Sequence, residues 1–145
     1  MEILLAFAAN LSNNFESIHF GDANKYLIYK YTDSEFIFLK EEINHFKNSD
    51  ENKTHGSQKK GRVIIEFLKG IGVQVLVSKQ FGKNIKMVNR HFIPVIINTE
   101  KPDDVIPMLK KHMKWIEDEL KNRPEEYKLF TITNGVLKTI IKKEE

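Results

Sequence analysis

Three short apolar runs, at residues 2–9, 73–77 and 93–97, constrain what this chain can fold into more than any other feature. Each is too short for a buried helix and lacks the alternation of a strand with one wet face. Each therefore reads as a strand covered on both sides. Helical patterns stand among them. Between residues 59 and 69, Val63, Ile64, Phe67 and Leu68 recur at helical spacing, and Gly70 and Gly72 end the pattern. Met87, Val88 and Phe92 point to a short helix over 83–91. Asp103 and Asp104 open a third helix with Val105, Leu109, His112, Ile116 and Leu120 on one stripe and Pro107 near its first turn. Covered strands alternating with helices define an α/β protein.

The remaining segments place more strands. Residues 25–31 and 35–43 are rich in aromatic and β-branched side chains and are joined by Thr32, Asp33 and Ser34, which predicts a hairpin. The result is a mixed five-stranded sheet flanked by helices, with the strands from residues 2, 73 and 93 parallel and the nearer hairpin strand running against them. Residues 44–58 are polar and read as a loop. At the end of the chain, 127–133 and 136–142 are β-like runs around Asn134-Gly135, the strongest short hairpin signal. An isolated hairpin is marginal in water, and the preceding elements already make a complete unit. The expectation is a domain over 1–121 and a C-terminal β-hairpin extension over 122–145 that docks in a homodimer.

Composition narrows the chemistry. The 145 residues contain no cysteine, so any metal must be held by histidine, carboxylate or backbone. A net charge of +3, carried mostly by lysine, is not the footprint of a nucleic-acid binder. The apolar start is too short to span a bilayer and lacks the pattern of a signal peptide, which leads to the expectation of a cytoplasmic protein without a membrane partner.

Two histidine-glycine segments carry the site prediction: Ser17-Ile18-His19-Phe20-Gly21 between two strands, and His55-Gly56 directly before a helix. Imidazole ligates metals or takes a proton, glycine admits close backbone approach, and a helix start offers free N–H groups. In the predicted topology Asn10, His19, His45, His55 and the loop of residues 78–82, with Gly82, converge at the carboxyl edge of the parallel strands, the usual ligand position of open α/β sheets. Lys59, Lys60 and Arg62 crowd the first helix start, and Lys79 and Lys83 flank the second. Cations there oppose the helix dipole, and an anionic ligand would reverse that penalty. His91 and His112 are expected to be structural, and Trp115 and the phenylalanines to lie in the core or an interface.

With these residues in view, the chain resembles the dinitrogenase iron-molybdenum cofactor biosynthesis family over residues 1–109. The segment from Phe15 through His19-Phe20-Gly21 to Ala23 is similar to the family's His-Phe-Gly approach to its second strand, represented here by Tyr26-Leu27-Ile28-Tyr29. His55-Gly56, residues 63–77, Gly82 and residues 93–95 follow in the family's order. The resemblance implies a ribonuclease H-like fold and a role in binding an iron-molybdenum cofactor or an iron–sulfur-type cluster. It puts His19 first among the residues that touch the ligand, with His55 second, and the sheet-edge placement adds His45 as a third metal candidate. Phe20, Gly21, Gly56, Lys59, Lys60, Lys79 and Gly82 complete the expected surroundings. Leu11, Lys79 and Gln80 depart from the family's glycines, and the terminal hairpin is extra. The alternative reading is a regulatory or scaffold module that binds a partner, or a small anion, without a metal cluster. A nuclease would need several carboxylates around two metal ions, whereas the first strand ends in Asn10 with only Glu16 and Asp22 nearby, so binding outranks catalysis.

Overall fold

A computed structural model describes residues 2–46, 56–123, 126–134 and 136–140. Seven strands form one sheet in the order β3-β2-β1-β4-β5-β6-β7. β1 (Ile3–Ala9) lies inside it, antiparallel to β2 (Lys25–Thr32) and parallel to β4 (Val73–Ser78), which pairs in parallel with β5 (Ile93–Ile97). The apolar runs sit where covered strands were expected. Leu5, Ala6, Phe7, Ala8 and Ala9 are all fully buried, because successive side chains enter opposite cores. On one face Phe7 stacks between Phe15 and Tyr29, with centroids 5.3 and 4.6 Å away, beneath α3 (Pro102–Asn122). On the other, Ala6, Ala8, Tyr26 and Ile28 pack with Ile64, Ile65 and Leu68 of α1 (Gly56–Ile71).

Three expectations change. The sheet has seven strands rather than five, because the terminal hairpin, β6 (Leu129–Thr133) and β7 (Val136–Ile140), continues it within the same chain. β5 offers an open edge, β6 pairs to it in parallel, and Phe130 and Ile132 enter the α3 core. The second helix shrinks to one turn, α2 (Ile85–Val88), after a 3-10 turn over Gly82–Asn84. In α3 the buried stripe passes through Met113, not His112, and Trp115 is exposed, since Val105, Leu109, Met113 and Ile116 are the positions that face the sheet. Pro107 lies inside α3 without ending it, and Pro102, Asp103 and Asp104 at its start suit the dipole.

β3 (Glu35–Ile43) forms the outer edge beside β2, with a register shift opposite Ile28/Tyr29. Asp33 and Ser34 both have positive φ, 51° and 65°, the conformation of a two-residue hairpin turn. Among the described residues no helix is long and apolar enough to cross a membrane.

Candidate functional site

The carboxyl ends of β1, β4 and β5 share one edge, and the loop after β1 is stitched along it. Ala9 bridges Phe15, Glu16 N–H donates to the Ala8 carbonyl at 3.0 Å, and Phe15 N–H to the Glu100 carbonyl at 2.8 Å. Asn10 turns the chain: its Oδ1 accepts from the N–H groups of Ser12 (2.9 Å) and Asn14 (3.1 Å). It is thus a turn-former at the expected edge, with its side-chain oxygen already in use.

His19 sits at the second stitch. It bridges Gln80 in the loop after β4, Phe20 N–H donates to the Gln80 carbonyl at 2.8 Å, and Gln80 Nε2 donates to the Ser17 carbonyl at 2.7 Å. Ser78 Oγ donates to that same Gln80 carbonyl at 2.9 Å. Behind it, Phe20 is buried between Tyr26 and Phe81, at 4.8 and 5.4 Å, and its carbonyl accepts from the Tyr26 hydroxyl at 2.9 Å. Burial, and secondarily the charge of Asp22, pushes the Tyr26 phenol far above its ordinary value, so it serves as a fixed donor. Asn44, buried just beyond β3, donates from Nδ2 to the carbonyls of Gly21 (3.0 Å) and Ala23 (2.8 Å). The backbone on both sides of His19 is pinned while the imidazole stays exposed.

Gly82 determines where that imidazole lies. Its φ of +76° suits glycine, and a Cβ there would stand 2.7 Å from Nδ1, 3.0 Å from Cγ and 3.1 Å from Cε1 of His19. The ring lies against Gly82, nearest to it at Nδ1. Any other side chain at 82 would displace it.

The other predicted groups divide. His45 is exposed on the turn after Asn44, on the same edge. Gly56 opens α1, while His55 and the side chain of Lys59 lie outside the described residues. Lys60 is ion-paired with Asp22 and Lys79 with Glu100. Each of these two lysines thus meets a carboxylate from a different loop. The one-turn α2 also supplies no helix-dipole site. Among the described residues no group of three histidine, aspartate or glutamate side chains is placed to hold a metal ion. Sequence reasoning missed Asn44 and Gln80: a lone amide in a polar stretch carries no periodicity, and its role rests on contacts 21 to 63 residues away.

A family model described as dinitrogenase iron-molybdenum cofactor matches residues 1–112. No curated protein matches the chain.

Proposed function

We propose that this chain, which belongs to the dinitrogenase iron-molybdenum cofactor family, is a non-catalytic binding protein that receives a preassembled metal cluster, the iron-molybdenum cofactor or an iron–sulfur-type relative, at His19. The single observation that carries this reading is the exposed imidazole of His19, laid against Gly82 between two pinned stretches of backbone. A site that captures a bare metal ion brings several donors together, typically four for a structural ion. One presented imidazole suits a cluster whose metals already have most of their ligands and lack one. The order β3-β2-β1-β4-β5, with β2 alone antiparallel to the parallel three, supports reading this part as the ribonuclease H-like core implied by the resemblance.

His19 supplies the ligand, Gly82 sets the ring's position, and Phe20, Tyr26 and Asn44 hold the backbone so that it is ready before the cluster arrives. Preorganisation of this kind spares ordering entropy on binding. The test is elemental analysis and an absorbance spectrum on protein purified without oxygen from a host that makes iron–sulfur clusters, comparing the natural chain with His19→Ala. The expected result is near-stoichiometric iron or molybdenum in the natural chain and its loss in the variant. The side chain is exposed, so the variant's unfolding free energy should stay within about 0.5 kcal/mol. Cluster uptake that survives His19→Ala overturns the proposal.

A further inference from the structure

Four of the large hydrophobic side chains left in solvent lie on one strand. Ile37, Phe38, Leu39 and Ile43 of β3 are 44–51 % exposed, on an edge that neither α1 nor α3 covers. Natural edge strands are usually guarded by charge, and here the guard is uneven. Lys40, Glu41 and Glu42 protect the second half, where Glu41 pairs with Lys25 and Glu42 with Lys40. The stretch 36–39 is apolar throughout.

The register fixes which backbone groups are free. A two-residue turn makes Thr32 and Glu35 the closing hydrogen-bonded pair, so by alternation Glu35 and Ile37 direct their backbone groups to β2, and Phe36 and Phe38 direct theirs outward. We propose that β3 pairs antiparallel with β3 of a second copy about a two-fold axis at Ile37. Phe36 then faces the partner's Phe38 with both sets of outward groups satisfied, and Ile37 faces the partner's Ile37. This axis pairs the apolar residues 36–38 with one another and leaves Lys40, Glu41 and Glu42 of both copies, with the register shift at Leu39, beyond the paired stretch. Phe36 and Phe38 lie on the α3 face beside Tyr31 and Tyr29, at 5.0 and 5.4 Å, so the partner's rings continue an aromatic row. Phe38 also borders a cleft of about 450 Å³ lined by Leu27, Tyr29 and Asp103.

Sedimentation equilibrium on the full chain over a concentration series tests the pairing. The natural chain should dimerise. Ile37→Lys and Ile37→Glu, each setting a like charge against itself, should each raise the dimer dissociation constant at least tenfold, by roughly the repulsion of directly opposed charges. Mixing the two variants should restore a dimer. Ile37 is exposed in the monomer, so circular dichroism and melting temperature of dilute samples should match the natural chain and separate lost pairing from lost folding. A natural chain that is monomeric even near millimolar concentration overturns the proposal. So does a dimer that survives either single substitution.

Discussion

The loop between β1 and β2 and the hairpin after α3 are each tied down by a few hydrogen bonds to distant residues, but the ties serve opposite ends. In the loop, Tyr26 and Asn44 bond to backbone carbonyls, and Ser17, Ile18 and His19 remain in solvent. In the hairpin, Tyr127 N–H donates to the Asn89 carbonyl at 2.8 Å, Asn89 Nδ2 donates to the Tyr127 carbonyl at 3.1 Å, and Lys128 N–H donates to Glu119 Oε2 at 2.7 Å. Those bonds aim Phe130 and Ile132 into the core. A segment whose backbone is held and whose side chains are not is arranged to meet something outside the fold. One that also buries its side chains adds to stability.

The largest expected effect tests the hairpin half of that contrast. Phe130→Ala should destabilise the protein by about 3–5 kcal/mol in urea unfolding, as for a buried aromatic truncated to alanine, while leaving the His19 ring resonances in place. A loss below about 1 kcal/mol would mean that the hairpin rests loosely on β5, and the contrast would fail.

A smaller effect sharpens the loop half. Gly82→Ala combines a left-handed backbone with a collision against the imidazole and should cost about 2 kcal/mol. In a His19→Ala background the collision disappears and only the backbone strain remains. A double-mutant cycle should therefore show coupling between the two positions. Additive costs would show that Gly82 does not set the ring's place.

Tyr26→Phe gives the smallest effect at neutral pH, about 1 kcal/mol, chiefly for the buried hydrogen bond to the Phe20 carbonyl, with the longer one accepted from Asn44 Nδ2 adding little. It also has a signature in pH. The folded phenol keeps its proton above the ordinary value of 10.0, chiefly through burial and then through Asp22, while the unfolded chain releases it. Stability is thus unaffected by this group below about pH 10 and falls as pH rises beyond it, since the folded state binds more protons. The variant's stability should decline less steeply there. Equal slopes in alkaline urea titrations would remove Tyr26 as a buried anchor of the loop.

Much of the fold was legible because it rests on local pattern. The buried runs of β1, β4 and β5, the aromatic hairpin and the amphipathic third helix each announce themselves within a few residues. What escaped depends on partners distant in sequence. Nothing in Phe130 or Ile132 says that β5 supplies their edge, and the shortening of α2 reflects a 3-10 turn begun by a glycine with positive φ. In the site, His19 and Gly82 were legible as residue types, but their contact was not. Nor was it legible that Lys60 and Lys79 meet carboxylates, because Asp22 and Glu100 stand 38 and 21 residues away.

The family match stops at residue 112, ten residues before α3 ends at Asn122. The border of shared sequence therefore crosses a continuous rod. Met113 and Ile116, fully buried, lie beyond it on the same face as Val105 and Leu109. A chain cut at that border would open the α3 core at midlength, so the stretch that matches the family model and the unit that folds together have different ends.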